Sequence, residues 1–438
     1  MGDSDFQPMV MSGWGSTDPE SIDDYVAAGG YSALRRVLSV MTPEDVICRV
    51  EAVGLLGRGG AGYPVARKWR AAREAPSDHK FVIANAYDAD ALSPIGQSLL
   101  EQMPHRVLEG LLIAAYAIGA RDGVIYCRGE SRAAIRRVRA AISQAEENGF
   151  VGPKAFGPGR AMRLYVALGW TGFVGGEETA AIAAIEGRRA MPVQRPPYPA
   201  ERGLMGRPTV VNSAETLANV PLVVADGGPA PGSSQAGKTK VFSMQGNVRH
   251  KGLVESPLGV SLRQMVDRAG GAGPEGQGIK AVQIGGPTGA CIPASAFDVP
   301  LGFESLLEVG AHLGSGRIEV IGNSACMVGY ARDVMAYLTD EACGRCVPCR
   351  LGTKRVAGLL EAIASGLGEG QDLETLEELS GHISAASICG YGLTATSVVT
   401  STLKHFRSEY LSHVEEKRCP TGQCKPSRHV RYRRRAVL

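Results

Sequence analysis

Apolar positions change their period several times along this chain. From 46 to about 228, short apolar runs (KFVIANAY at 80–87, GVIYCRG at 123–129, AMRLYVAL at 161–168) alternate with helical spacing, as in HRVLEGLLIAAYAIGA and ESRAAIRRVRAAISQAEENG. Strand and helix in turn predict an α/β sheet covered by helices. Residues 1–45 read as an N-terminal arm, with helical spacing in SIDDYVAAGGYSALRRVL. PAPGSSQAG at 229–237 is a linker in composition. Over 238–325 the pattern becomes short strands (KVFSMQGNV, GLVESPLGV, KAVQIGG, RIEVIGNSA) around one helix, SLRQMVDRAG, which predicts a small α+β module of β-grasp type. Residues 326–415 carry four helical patterns, the rhythm of a four-helix bundle. Residues 416–438 form a tail.

Composition narrows the function classes. The net charge of +3 gives no argument for nucleic acid. Arg428, Arg431, Arg433, Arg434 and Arg435 crowd the end of the tail, read either as a solvated terminus or as an arm for an acidic partner. The longest apolar run, in GLLIAAYAIGA, is far short of the ~20 residues that span a bilayer, and the N-terminus lacks the pattern of a signal peptide. A cytoplasmic location is expected. Glycine, at 57 of 438 residues, is about twice ordinary usage, which directs attention to glycine loops. Six of the ten cysteines follow residue 340. In a long chain of this kind, clustered cysteines point to metal rather than to disulfides. Cys48, Cys127 and Cys291 read as small buried hydrophobes.

Four motifs carry chemistry. In Cys343-Gly-Arg-Cys346-Val-Pro-Cys349, two-residue gaps let three thiolates converge, and Cys389 supplies a distant fourth. The set suits an iron–sulfur cluster; a Cys₄ zinc site is the rival, and free thiols the remaining alternative. Gly57-Arg-Gly-Gly-Ala-Gly62-Tyr-Pro, followed by Lys68 and Trp69, allows backbone N–H groups to approach a phosphate, with Arg58 and Lys68 as cations; a plain turn is the competing reading. Glu177 and Glu178 in Gly175-Gly-Glu-Glu-Thr179 are either a charged helix cap or partners for ribityl or ribose hydroxyls. Pro208-Thr-Val-Val-Asn212-Ser213-Ala-Glu215-Thr216 ends an apolar strand in polar groups, either a helix cap or a ligand edge.

These pieces resemble, in order, the NADH-binding flavoprotein subunit of respiratory complex I and its diaphorase paralogues in NAD-dependent formate dehydrogenases and hydrogenases. The resemblance runs from Gly57–Trp69 through Asn85-Ala86, Pro104–Gly110, Gly175–Thr179 and Pro208–Pro221 to the Cys343/346/349/389 set, covering about residues 45–425. It implies a Rossmann-like FMN domain, a ubiquitin-like β-grasp domain and a four-helix bundle holding a [4Fe–4S] cluster. NADH would give a hydride to the flavin, which would release electrons singly to the cluster. By position, Gly57, Arg58, Gly59, Gly60, Lys68, Asn85, Asp88, Glu177, Asn212, Ser213 and Thr216 should surround FMN. Tyr63, Asp90, Glu178, Arg195 and Tyr198 should lie where the family holds NADH. The implied partners are a thioredoxin-like [2Fe–2S] subunit and a further redox catalytic subunit.

The chain departs from the family pattern at Tyr87-Asp88-Ala89-Asp90-Ala91-Leu92. Tyr87 replaces an acid and a Pro-Gly pair is lost. That change motivates a second expectation, an FMN/[4Fe–4S] subunit that takes electrons from a partner protein rather than from NAD(H). In the tail, Cys419-Pro-Thr-Gly-Gln-Cys424 could bind zinc with His413 and Cys326, a Cys₃His set; the alternative is a pair of free thiols.

Overall fold

The computed structural model describes residues 6–170, 172–225, 236–272 and 278–424. The tail arginines 428–435 and most of the 229–237 linker fall outside them.

The first sheet has four strands: β1 (Phe81–Ala86), β2 (Asp122–Arg128), β3 (Arg163–Gly169) and β4 (Thr209–Ser213). All are parallel, in the order β3-β2-β1-β4. Both faces are covered, so the strands read as continuous apolar runs. Val82, Ala84, Ala86, Ile125, Cys127 and Val210 face one hydrophobic layer, whereas Ile83, Val124, Tyr126 and Val211 face another that includes Ile182 of helix Glu178–Ile185. Helix Pro104–Ile118 is buried along nearly its whole length, as its all-round apolar sequence requires. It lies against helix Ala214–Ala225 so closely that a Cβ on Gly110 would stand 1.9 Å from Leu217 O.

Local signals set the element ends. Helix Pro43–Val53 opens with a Thr42–Asp45 capping box and Pro43, and stops at Gly54, which is left-handed at φ +70°. The N-terminal arm is fastened down rather than loose. Buried Glu109 accepts hydrogen bonds from Tyr25 Oη (2.6 Å) and from the Tyr31 and Leu34 amides (3.0 and 3.1 Å).

The second sheet has five strands: β5 (Thr239–Gly246), β6 (Gly252–Pro257), β7 (Ile279–Ile284), β8 (Ala290–Pro293) and β9 (Arg317–Gly322), in the order β6-β5-β9-β7-β8. Only the β5–β9 pair is parallel. Helix Leu262–Arg268 packs on its apolar side. The sequence pattern shows four of these strands; β8 is too short to stand out.

Helices Met327–Glu341, Val347–Ala364, Gly370–Ala386 and Ser397–His405 share one hydrophobic cluster with the shorter helices Gly390–Thr394 and Arg407–Val414. No helix among the described residues is long and apolar enough to cross a membrane. One expectation fails: Cys48 is exposed, while Cys127 and Cys291 are buried. Cys48 falls on the outward side of helix Pro43–Val53, beside Glu44.

Candidate functional site

A cavity of about 460 Å³ opens at the carboxyl ends of β1 and β4. That is where ligands sit in parallel α/β sheets, and the size suits a small cofactor. Its lining includes Arg58, Gly59, Gly60, Asn85, Asp88, Asp90, Glu177 and Ser213. Gly57, Tyr63, Lys68, Glu178, Arg195, Tyr198, Asn212 and Thr216 lie outside the lining.

The glycine loop is shaped by close approach. Gly57 N–H donates to Tyr63 O (2.9 Å). Gly60 has φ +114°, and a Cβ there would meet Gly314 O, in the loop before β9, at 2.9 Å. Arg58 does something other than the phosphate contact its charge suggests. Its guanidinium is buried and donates to Leu56 O, Gly237 O and Thr239 O at 2.7, 2.5 and 2.8 Å. Its amide donates to Thr216 Oγ1 (2.8 Å). Arg58 therefore ties the loop to the start of β5.

Several polar residues serve the backbone of the site. Asn85 donates to Gly176 O (2.9 Å) and accepts from Tyr87 N–H (3.1 Å). The Glu177 carboxylate accepts from the Thr179 and Ala180 amides, both 2.9 Å, so it is a helix cap. Asn212 accepts from Trp69 Nε1 (2.9 Å). Ser213 accepts from Thr216 N–H (3.2 Å) at the start of helix Ala214–Ala225.

Asp88, at φ +46°, accepts from the Gly96 and Gln97 amides (2.9 and 2.6 Å). Burial pushes its carboxyl up to about 7, against the pull of those two donors. Asp90 is also buried. Its carboxylate accepts from Ser315 Oγ (2.9 Å) and lies 3.3 Å from Arg317 Nε. The loop after β1 is thus clamped to the second sheet. Tyr87, standing where the family has an acid, is fully buried, stacks on Tyr126 at 5.2 Å and donates to Gly172 O (3.1 Å).

Beyond the lining, Glu178 pairs with Lys68 (3.1 Å) and Arg195 (2.5 Å), and Lys68 also donates to Val211 O (3.0 Å). Tyr63 and Tyr198 leave 48% and 55% of their surfaces exposed, enough for a ring face to receive a ligand.

Sequence reasoning missed an entire wall. Gly285 and Thr288 of the β7–β8 turn and His312, Leu313, Gly314 and Ser315 of the loop before β9 line the cavity, with Phe173, Phe303 and Leu307. The glycine pairs 285–286 and 314/316 were the available signal, yet nothing local says which surface they face. His312 is held below its usual range by burial and donates through Nε2 to Thr288 O (3.1 Å).

The third wall comes from Gly390, Tyr391 and Thr394 of the short helix Gly390–Thr394. Cys389 is the N-cap of that helix, and Cys346 is the N-cap of helix Val347–Ala364, which carries Cys349 in its first turn. A Cβ on Gly392 would lie 3.4 Å from Cys349 Cβ. Burial pushes the Cys349 thiol up to about 12, reinforced by the neighbouring sulfurs of Cys346, Cys389 and Cys343. All four cysteines therefore meet in one place, next to the cavity. Four thiols gathered beside the cavity suit a cationic cluster, which takes them as thiolates.

The residues fit a flavin mononucleotide. A Cβ on Gly59 would meet only Ser213 Cβ, at 3.8 Å, so open space lies over the loop. That loop and the N-terminus of helix Ala214–Ala225 present a phosphate cradle, and Ile95, Phe173, Val174 and Leu313 offer apolar surface for a planar ring.

Comparison with known proteins agrees with this geometry. Residues 50–222 match the family model described as the Nuo51 FMN-binding domain, and 329–413 match the NADH-ubiquinone oxidoreductase-F iron-sulfur binding region. The chain is 41% identical to the HndC subunit of the NADP-reducing hydrogenase of Solidesulfovibrio fructosivorans, over 94% of this chain and 84% of that one. It is 38% identical to an F-type subunit of the NADH-quinone oxidoreductase of Rhizobium meliloti, over 95% and 99%. A solved NAD⁺-reducing [NiFe]-hydrogenase superposes with a TM-score of 0.79 at 32% identity, covering 93% of this chain and 67% of the hydrogenase chain. The chain belongs to the family of the F-type subunits of NADH-quinone oxidoreductase and their hydrogenase-associated diaphorase paralogues.

Proposed function

We propose that this chain passes electrons between NAD(H) and iron–sulfur clusters through FMN, as one component of a larger oxidoreductase. The observation that carries this reading is the helix Gly390–Thr394, which lines the cavity while its N-cap, Cys389, belongs to the cysteine quartet. The two cofactor sites share a wall. FMN, when bound, supplies the chemistry that converts a two-electron hydride into single electrons.

The protein's part is binding and orientation. The glycine loop and Ser213–Ala214 hold the phosphate by backbone donors, since the Arg58 guanidinium is committed to carbonyls. Asn85, Asp88, Glu177 and Ser213 face the polar parts of the cofactor. Tyr63 and Tyr198 stack on the nucleotide, and the Lys68–Glu178–Arg195 network sets its ribose and charge contacts. Asp90 acts on the site through Ser315 and Arg317 rather than by touching the nucleotide. Cys343, Cys346, Cys349 and Cys389 ligate the [4Fe–4S] cluster.

The finer architecture is part of the same reading: residues 46–228 as the Rossmann-like FMN domain, 238–325 as a β-grasp domain and 326–415 as a four-helix bundle. Two separate sheets and three main hydrophobic clusters support it. The partners are a thioredoxin-like [2Fe–2S] subunit and a further redox subunit, in the cytoplasm, where thiols stay reduced. Around the half-exposed Cys343 and Cys346, exposed Arg345, Arg350, Val347 and Leu351 support a docking face on the side of the quartet occupied by those two cysteines. The full chain, reconstituted anaerobically, is expected to hold one FMN and one four-iron cluster; a colourless chain would overturn the reading.

A further inference from the structure

Away from the flavin cavity and the Cys343 quartet, a second group of metal-type side chains closes on itself. Cys326, His413, Cys419 and Cys424 are all buried, and their ligand atoms all lie within 4.8 Å of one another. Cys326 Sγ is 3.6 Å from Cys424 Sγ and 3.7 Å from His413 Nε2. Tetrahedral ligands on one zinc ion, with Zn–S about 2.3 Å and Zn–N about 2.0–2.1 Å, stand about 3.8 Å apart sulfur to sulfur and about 3.6 Å sulfur to nitrogen. The observed spacings match that geometry. They are far longer than the ~2.05 Å of a disulfide, and the group is tighter than the four corners of a cubane cluster require.

The surroundings prepare the ligands. His413 Nδ1 lies 2.7 Å from Glu409 O. A carbonyl only accepts, so Nδ1 carries the proton and the Nε2 lone pair faces the sulfurs, the usual outer-shell arrangement of a metal-bound histidine. Cys326 Sγ accepts from Gly329 N–H (3.5 Å) and Cys419 Sγ from Cys424 N–H (3.4 Å), which favours the thiolate forms. Three sulfurs and one imidazole, with no carboxylate among them, select zinc over hard cations. Four protein ligands leave no open position, which marks a structural site rather than a catalytic one.

We propose that Cys326, His413, Cys419 and Cys424 hold one structural zinc ion that braces the cluster-carrying helices. The ligands come from three places: the N-cap of helix Met327–Glu341, the last turn of helix Arg407–Val414 and the loop 419–424. Glu409 adds to the junction by accepting from Met327 N–H (2.9 Å) and pairing with Lys280 (2.5 Å). Helix Met327–Glu341 starts at the zinc and ends two residues before Cys343. The ion thereby fixes one end of the element that delivers the first cluster ligand.

The test is metal analysis and zinc-edge X-ray absorption on the full chain carrying FMN and its cluster. One zinc per chain is expected, with three sulfurs at about 2.3 Å and one nitrogen at about 2.0–2.1 Å. A chain with its full iron complement and no zinc would overturn the site, as would a Cys326–Cys424 disulfide found by mass spectrometry. Cys424→Ser and His413→Gln should each lose zinc and release cluster iron to a chelator several-fold faster than the parent. Should Cys424→Ser not fold, the His413→Gln variant and the parent's absorption spectrum still decide. Zinc kept at full occupancy in both variants would refute the ligand assignment, and unchanged iron release would refute the brace.

Discussion

The two cysteine groups share one helical region and differ in span and address. The Cys326 group is tight, fully buried and mixed with an imidazole, whereas the Cys343 group is wider, all sulfur and half-exposed at Cys343 and Cys346. The tight set offers one ion a closed shell and no route to anything else. The wide set has one side against the flavin cavity, through Gly390 and Tyr391, and another toward the surface. Span and exposure, rather than the count of cysteines, separate a brace from a relay.

Removing one ligand from each group should separate their roles most strongly. Cys389→Ala should abolish the cluster and cut electron delivery to one-electron acceptor proteins by orders of magnitude, while zinc content stays. Cys424→Ser should give the reverse metal pattern. Iron and zinc analysis on both variants checks this, and loss of zinc along with the cluster in Cys389→Ala would merge the two groups into one.

A smaller effect is expected at the cavity's glycine loop. Gly60→Ala combines a left-handed φ with a contact to Gly314 O, which should cost about 1–3 kcal/mol and weaken FMN binding in a fluorescence titration. Lys68→Ala removes one of the two cations on Glu178. It should raise the KM for NADH about tenfold, roughly 1.4 kcal/mol, with the iron content unchanged. The smallest effect is in pH. Because Asp88 is held at about 7 in the folded chain, the folded state keeps a proton that the unfolded chain releases near 4. Stability of the flavin-free chain should therefore fall between about pH 4 and pH 7, by roughly 2 °C in Tm per pH unit, and Asp88→Asn should flatten that slope.

Much of this was legible in the sequence because it is local. The CxxCxxC spacing, the glycine loop, the alternating strands and the Glu177 cap depend on residues close in the chain. The partners that give Arg58 and Asp90 their tertiary role are not local. Arg58 answers to carbonyls at 237 and 239, and Asp90 to Ser315 and Arg317, more than 170 residues away in every case. Charge in the glycine loop suggested ligand contact for Arg58, and the family resemblance did so for Asp90; both line the cavity, and packing also has them join the two sheets. Cys326 was named from the sequence as a ligand beside His413, Cys419 and Cys424, and the fold brings the start of its helix to the loop 419–424.

On the function proposed above, electrons cross the wall shared by the cavity and the Cys343 quartet. Anaerobic stopped-flow mixing of the reconstituted chain with NADH, followed by freeze-quench electron paramagnetic resonance, measures it most directly. The account predicts bleaching of the flavin absorbance and then the signal of a reduced [4Fe–4S] cluster. Unbleached flavin, or bleached flavin beside a cluster that stays oxidised when its potential lies within reach, would contradict it.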